Sequence, residues 1–171
     1  MPRTHRAFGL SITYPDNWQV TEEIETVEPD IDIDELDIDE DESGQEDNQR
    51  VVGYQIQSPN SAFVSVYPFD PSTSPKDAIA QAAEAIASEY ENVEQDPFEP
   101  QLVYHPGTLS DPQGEELHFY YLDLLVYARL IAFRLPSQTI LIHIQAEDGE
   151  FRGLEKVFEA MLLTLCQSIQ K

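Results

Sequence analysis

The sequence predicts an α+β fold, in which a mainly antiparallel sheet of about six or seven strands is covered by helices on both faces. Short runs of alternating or continuous apolar residues, separated by turn-forming residues, predict strands that are joined by hairpins. Two segments with apolar residues at helical spacing predict the covering helices. The length of 171 residues and the apolar content of 41% fit one globular domain, residues 1–171.

The predicted strands follow the apolar pattern of a half-buried or fully buried sheet. Five short runs have this pattern: 10–14, 18–27, 51–57, 62–67 and 139–146. The longer segment 117–135 is apolar on both faces, which is typical of one or two strands in the middle of a sheet. We place its break at Asp123. The stretch 94–100 is rich in proline and acids and is predicted to be a loop.

Two helices are predicted from capping residues and apolar periodicity. Ser74, Pro75 and Asp77 have the order of an N-cap, a first helical residue and a capping box, so a helix begins there and continues to about Tyr90. The second helix covers about 150–169, where apolar residues follow the helical period. Its cysteine, Cys166, lies on the apolar face, and we expect an inert buried thiol.

The net charge of −24 excludes several classes of partner. Thirty-three acidic residues stand against nine lysines and arginines, so the clustered basic residues that bind nucleic acid or an anionic membrane surface are lacking. No segment approaches the ~18 apolar residues of a transmembrane helix, and we expect a cytoplasmic protein. The expected partner is another protein, and the charge favours one with a basic surface.

Residues 28–50 form an acidic insertion between two predicted strands. Twelve of the twenty residues 28–47 are acidic. The favoured interpretation is a mobile, solvated insertion, since long surface insertions cost little free energy. A second interpretation is a partner-binding segment, in which apolar side chains alternate with acids as in a peptide that adds a strand to its partner. The candidate partner-binding residues are Asp30, Ile31, Asp32, Ile33, Asp34, Leu36, Asp37, Ile38 and Asp39.

Weak calcium binding is a third interpretation of the same segment. Asp30, Asp32 and Asp34 have the opening spacing of a calcium loop. However, Glu35 stands where an EF-hand needs a glycine and Asp41 where it needs a glutamate, so an EF-hand is excluded. No cofactor is expected.

Residues with catalytic chemistry are few. His118 and His143 lie in predicted strands, and one hypothesis combines them with Asp123 in a site, although no metal-binding spacing occurs. A strand histidine is more often partly buried beside a hydrogen-bond partner. The sequence has no nucleophile elbow and no phosphate-binding glycine loop. The aromatic residues of segment 117–135 are expected to form cross-strand pairs in the core: Phe119, Tyr120, Tyr121, Tyr127 and Phe133.

Two stretches of the chain carry a family resemblance. "FGLSITYPDNW" (Phe8–Trp18) resembles the opening strand and Tyr-Pro-x-x-Trp corner of the PsbP-like superfamily. "FRLPSQTILIHIQAEDGEFRGLEKVFEAMLLTL" (Phe133–Leu165) is similar to the last strands and closing helix of that group. The superfamily includes the photosystem protein PsbP, bacterial DcrB-type proteins and Mog-type import factors, and this chain resembles a bacterial member. The acidic segment departs from the family pattern.

The resemblance implies a central antiparallel sheet flanked by helices, and a binding or adaptor role without catalysis. No binding residue can be transferred, because the matched motifs are packing features. We therefore expect a non-catalytic protein-binding, adaptor or chaperone-like domain. The alternative is a small-molecule or calcium-binding protein with a histidine–carboxylate hydrolytic site, which requires a closed pocket that holds His118 or His143 beside a buried acid.

Overall fold

The computed structural model describes residues 1–26 and 49–169. Within these ranges it contains nine strands and two helices. The strands are β1 (Arg3–Ala7), β2 (Leu10–Tyr14), β3 (Gln19–Thr26), β4 (Gln49–Gln57), β5 (Phe63–Phe69), β6 (Glu94–Pro97), β7 (Ser110–Tyr121), β8 (Leu124–Arg134) and β9 (Thr139–Glu147). The helices are α1 (Pro75–Glu89) and α2 (Asp148–Gln167).

Seven strands form one sheet in the order β3-β4-β5-β9-β8-β7-β6, and every neighbouring pair is antiparallel. The strands β1 and β2 form a separate antiparallel hairpin. The predicted α+β class and the antiparallel sheet of about six or seven strands are therefore confirmed.

The hydrophobic residues form two core clusters that divide strand β8 between them. Ala128, Leu130 and Ala132 of β8 pack in a cluster with α1, whereas Ile131 and Phe133 pack in a cluster with β2 and α2. Because successive side chains of a strand point to opposite faces, the two clusters lie on opposite faces of the sheet.

The corner after β2 is built as its sequence predicts. The backbone N–H of Trp18 donates a hydrogen bond to the carbonyl oxygen of Pro15 at 3.1 Å. The Trp18 side chain is buried, and its ring centroid lies 6.1 Å from that of Phe158 in α2. This corner therefore anchors the closing helix to the start of the sheet.

The predicted helices and the break at Asp123 are confirmed. Ser74 caps α1, since its hydroxyl oxygen accepts a hydrogen bond from the backbone N–H of Asp77. Leu122 and Asp123 form the two-residue turn between β7 and β8, and both have positive φ. The loop predicted for 94–100 is wrong for Glu94–Pro97, which forms the edge strand β6.

None of the helices that the structure describes is long and apolar enough to cross a membrane.

Candidate functional site

The outer face of α2 and the two clefts beside it form the candidate site, which we call the α2 surface. Lys156 and Ala160 are exposed on this face and line both clefts. Gly153 lies one turn earlier on the same face, where a methyl group would meet no atom within 4 Å. This face of α2 is therefore exposed and accessible between the two clefts.

The first cleft lies between α2 and the segment that follows β6, and its volume is about 600 Å3. Its walls are mostly apolar, and Leu163, which is 37% exposed, stands at the α2 side. Glu155, Lys156 and Glu159 supply charges from α2. The remaining wall and floor residues are Phe98, Gln101, Leu102, Val103, Arg129, Ile131, Ala160 and Leu162.

The second cleft lies on the other side of α2, against the end of β2, and its volume is about 510 Å3. Tyr14, Val157 and Met161 give it an apolar floor, and Asp16 and Lys156 lie at its margin. Both clefts have volumes in the range of small-ligand pockets. Because they share one helix face, they form one continuous surface.

Hydroxyl groups hold α2 against strand β2. The backbone N–H of Thr13 donates to Thr164 Oγ1 and that of Ser11 donates to Ser168 Oγ, each at 2.9 Å. These two N–H groups lie on the edge of β2 that faces away from β1. These hydroxyl groups therefore satisfy two backbone donors of β2 that would otherwise need another strand as a partner. The same hydrogen bonds fix the position of α2 beside the second cleft.

A glycine on β7 lets the opposite wall approach the sheet. A Cβ atom at Gly114 would lie 2.5 Å from the carbonyl oxygen of Phe98 and 2.9 Å from an atom of its ring. The backbone N–H of Phe98 donates a hydrogen bond to the carbonyl oxygen of Gly114 at 3.4 Å. Only glycine therefore allows this close contact, which positions Phe98 in the wall of the first cleft.

Arg129 lies at the floor of the first cleft and joins its two walls. Its side chain is 11% exposed, and its guanidinium carbon lies 4.2 Å from the ring centroid of Phe98 and 5.1 Å from that of Phe151. Its Nη2 atom lies 3.5 Å from a Glu155 oxygen and 3.7 Å from a Glu116 oxygen. Arg129 therefore contacts β7, α2 and the segment after β6 at once.

The buried ion pair at this floor is incompletely hydrogen-bonded. Glu116 is 14% exposed at its side chain, and its Oε2 atom and Arg129 Nε are buried without a hydrogen-bond partner among the described residues. Burial raises the pKa of Glu116, and the nearby Arg129 and His118 oppose that shift. The floor thus contains a carboxylate that is costly to keep ionised.

The hypothesis that combines His118, His143 and Asp123 is wrong. Strand β8 separates the two histidines, because His118 of β7 pairs with Tyr127 and His143 of β9 pairs with Leu130. Tyr127 and Leu130 are three residues apart in β8, so they point to opposite faces of the sheet. Asp123 lies in the β7–β8 turn.

Each histidine instead has its own neighbours. His143 Nε2 lies 2.9 Å from Gln145 Oε1, and burial lowers the pKa of His143 to about 4. His118 Nδ1 lies 3.6 Å from Asp96 Oδ2, whose side chain is largely exposed. The interpretation of a partly buried strand histidine beside a polar partner is therefore confirmed for His143.

The prediction for the aromatic residues is confirmed in part. Phe119 and Phe133 are buried in the core. Tyr120 and Tyr121 are exposed at the end of β7, so the prediction that they are core residues is wrong. The Tyr121 ring packs edge-on against Tyr90, with centroids 5.7 Å apart, so it contacts the margin of the α1 cluster and does not enter the core.

Cys166 is buried in α2, and burial raises the pKa of its thiol to about 11. The expectation of an unreactive thiol is confirmed, since the thiolate is the reactive form.

The acidic candidates lie outside the described residues. This concerns Asp30, Ile31, Asp32, Ile33, Asp34, Leu36, Asp37, Ile38 and Asp39. Across residues 1–26 and 49–169, no three histidine, cysteine or acidic side chains lie close enough together to hold a metal ion.

Sequence reasoning missed the residues of the α2 surface. Ala160 and Leu163 interrupt the charged outer side of α2 at helical spacing, and these two exposed apolar residues were the available signal. The chain matches no protein-family profile, and no curated protein is significantly similar to it.

Proposed function

We propose that this chain is a non-catalytic protein-binding domain that docks a segment of another protein along the α2 surface. The observation that carries the proposal is that two apolar clefts flank one helix and share Lys156 and Ala160. Two clefts joined across a helix form a surface longer than a single small-molecule pocket, which suits an extended or helical polypeptide.

Charge specifies the chemistry of the partner. Within the clefts the charges nearly balance, since Arg129 and Lys156 accompany Glu155 and Glu159, and the N-terminal ammonium pairs with Asp16. The whole chain carries −24, so its net charge favours a segment with apolar side chains on one face and lysines or arginines on the other. The acidic residues 28–47, which contribute −12, would attract the same partner from a distance and raise its association rate.

The fold proposed with this function is a PsbP-like sandwich, in which α1 and α2 cover the two faces of the sheet. The two core clusters on opposite faces support this arrangement, since one contains α1 residues and the other contains α2 residues. The Pro15–Trp18 corner, which resembles the family motif, packs onto α2. The proposed adaptor role follows from the same resemblance and from the open α2 surface.

The test uses a designed peptide as a defined probe. A helical peptide of 20 residues, composed of leucine and lysine in amphipathic order, has the length of α2. Its binding to the full chain is measured by fluorescence anisotropy of a label on the peptide. A peptide with glutamate in place of lysine is the matched control, and we expect it not to bind.

Two acidic substitutions separate docking from simple charge attraction. Leu163→Asp and Ala160→Glu add negative charge to the α2 surface, so unspecific attraction of the basic peptide predicts stronger binding. Docking in the clefts predicts binding at least ~10-fold weaker, which corresponds to about 1.4 kcal/mol. Gln81→Asp on the exposed side of α1 adds the same charge elsewhere, and we expect it to leave binding unchanged. Equal or tighter binding by both α2 variants would refute the proposal.

The steering role of the acidic residues is tested by replacing 29–47 with a short Gly/Ser linker. We expect the association rate of the basic peptide to fall and its dependence on salt to decrease, while the dissociation rate stays the same. An unchanged association rate at low salt would exclude steering and leave docking on α2 unaffected.

A further inference from the structure

The floor of the first cleft holds one cation between two carboxylates. Arg129 of β8 lies directly opposite Glu116 of β7 in the sheet, and its Nη2 atom lies 3.7 Å from a Glu116 oxygen. The same nitrogen lies 3.5 Å from a Glu155 oxygen of α2, so both carboxylates share it. When these three side chains are ionised, their charges sum to −1. Lys156 and Glu159 at the rim of the cleft carry opposite charges and do not change this sum.

The two carboxylates differ in their access to water. The side chain of Glu116 is 14% exposed, whereas that of Glu155 is 46% exposed. Glu116 Oε2 and Arg129 Nε are both buried without a hydrogen-bond partner among the described residues. A buried carboxylate that lacks such partners is costly to keep ionised. Of the two carboxylates beside Arg129, Glu116 is therefore the one that binds a proton first.

Charged or titratable side chains approach Glu116 from four elements. Arg129 comes from β8 and Glu155 from α2, while Asp96 of β6 lies opposite Glu116 in the sheet. His118 follows two residues later on the same face of β7. Burial raises the pKa of Glu116, and Arg129 and His118 oppose that effect. The negative charges of Glu155 and Asp96 raise the pKa further. Burial is the largest of these effects, so it decides their direction.

Occupation of the first cleft withdraws this floor from water. Arg129 and Glu155 line the cleft, so an apolar segment that docks there covers both. A lower local dielectric strengthens the attraction between Arg129 and one carboxylate, but it also increases the cost of a second carboxylate that the cation cannot neutralise. A proton on Glu116 removes that cost and leaves Arg129 paired with Glu155.

We propose that docking in the first cleft is coupled to the uptake of one proton by Glu116, so that the partner binds more tightly at acidic pH. This coupling rests on the proposed function, since the docked segment is what covers the floor. A ligand that favours the protonated form of a group binds more tightly as pH falls. The coupling is reciprocal, so a bound segment also shifts Glu116 toward its protonated form.

The expected direction is opposite to the effect of the other titratable groups. As pH falls, the acidic residues of the chain lose negative charge and its four histidines gain positive charge. General attraction of a basic segment therefore weakens on acidification. The lysines of the leucine–lysine peptide stay protonated at neutral and acidic pH. Tighter binding at lower pH thus indicates proton uptake on binding instead of a change in net charge.

The test measures the affinity of the leucine–lysine peptide for the full chain from about pH 7.5 to about pH 5.5 at constant ionic strength. We expect its dissociation constant to fall by about 3- to 10-fold over this range, since one coupled proton changes it by at most about 10-fold per pH unit. Titration calorimetry in two buffers with different ionisation enthalpies measures the protons taken up by the wild-type chain. We expect net uptake at about pH 6, and net release would overturn the proposal.

Glu116→Gln removes the titrating group and keeps its shape. We expect this variant to bind the peptide at about pH 7.5 as tightly as the wild-type chain does at about pH 5.5, with no further gain on acidification. Glu159→Gln is the matched control, since it removes a carboxylate from the rim of the same cleft. We expect the control to keep the wild-type gain. A gain that persists in Glu116→Gln would overturn the proposal.

The results distinguish failure of the coupling from failure of the proposed function. If Leu163→Asp weakens the peptide but the affinity of the wild-type chain does not depend on pH, the coupling is wrong and docking on the α2 surface stands. If the wild-type and Leu163→Asp chains bind the peptide equally at every pH, the peptide does not occupy the first cleft and both proposals fail.

Discussion

Arg129 illustrates how one side chain can determine the shape of a binding surface. Its guanidinium contacts Phe98 on one wall of the first cleft and lies beside Glu155 on the other. Both contacts are electrostatic, and both gain strength because the arginine is largely withdrawn from water. The same withdrawal makes Glu116 dependent on Arg129, since a buried carboxylate without a cation is strongly destabilising.

We predict that Arg129→Met lowers the free energy of unfolding by about 3 kcal/mol at about pH 8. We expect this loss of free energy of unfolding to be smaller at about pH 5, because Glu116 is then more often protonated and needs no cation. Burial raises the pKa of folded Glu116 above the usual range of a glutamate. The folded state therefore binds more protons than the unfolded state, and stability falls as pH rises through the folded pKa. Removal of Arg129 raises that pKa further and deepens the fall. Urea unfolding at the two pH values measures the difference.

The matched control is Arg129→Met combined with Glu116→Gln. It removes both charges, so we expect most of the lost stability to return and the additional pH dependence to disappear. Asp96, His118, Glu155 and Arg129 are the charged or titratable groups that influence Glu116, and the first three remain in both variants. If Arg129→Met were equally destabilising at both pH values, then the loss of packing rather than the unpaired carboxylate would explain it.

At the scale of elements, strands with a buried face were predictable, whereas the mostly exposed strands β1 and β6 were not. Strand β2 carries the alternation of apolar residues that one covered face requires, and its burial follows that alternation. Strands β5 and β9 are buried at three and four consecutive positions, as strands covered on both faces are. Strand β6 is exposed at all four positions and β1 is mostly exposed, so neither sequence has an apolar pattern. Backbone pairing with β7 and β2 alone forms them, and that pairing is a long-range property that no local window contains.

The same limitation explains why β7 was recognised only in its second half. Leu117 and Phe119 bury against α1, but Ser110, Asp111 and Gln113 at its start face solvent or the segment after β6. The break falls at Asp123, which is the single acidic residue of the mostly apolar segment 117–135. The walls of the α2 clefts, in contrast, come from segments far apart in the sequence and follow only from the packing of α2.

Two glycines in different elements predict opposite effects of the same substitution. Gly114→Ala places a methyl group 2.5 Å from the Phe98 carbonyl oxygen, and a backbone contact of this kind must shift. We expect a loss of about 1–3 kcal/mol in the free energy of unfolding, as for other overpacked positions. Because this substitution displaces a wall of the first cleft, we also expect the leucine–lysine peptide to bind less tightly.

Gly153→Ala is the matched control in α2. Its added methyl group meets no atom within 4 Å, and alanine is a better helix former than glycine by up to about 1 kcal/mol. We expect a gain in stability of that size and unchanged wall geometry. Urea unfolding and peptide anisotropy measure both effects, and destabilisation by Gly153→Ala would show that the outer face of α2 is more closely packed than the structure indicates.

At the scale of the whole molecule, charge both limits stability and selects partners. The chain carries −24, and its basic residues are too few to neutralise the acids locally. Net charge of this size destabilises the compact state through self-repulsion. The same field attracts a basic segment toward the α2 surface, so one property affects both folding and the proposed interaction.

We predict that salt stabilises this protein. An increase in NaCl from about 0.01 M to about 0.1 M shortens the Debye length from about 30 Å to about 10 Å and screens repulsion between distant acids. A gain of about 1 kcal/mol would raise the melting temperature by about 2–4 °C for a chain of this size.

Replacement of residues 28–47 by a Gly/Ser linker removes twelve acids, so the net charge becomes −24 + 12 = −12. Because self-repulsion scales with the square of the charge, the salt effect should fall to about a quarter. Choline chloride at the same ionic strength should act as NaCl does, since screening does not depend on the identity of the cation. A salt effect that is equally large in the replaced chain would place the destabilising repulsion in the folded domain instead of in its acidic insertion.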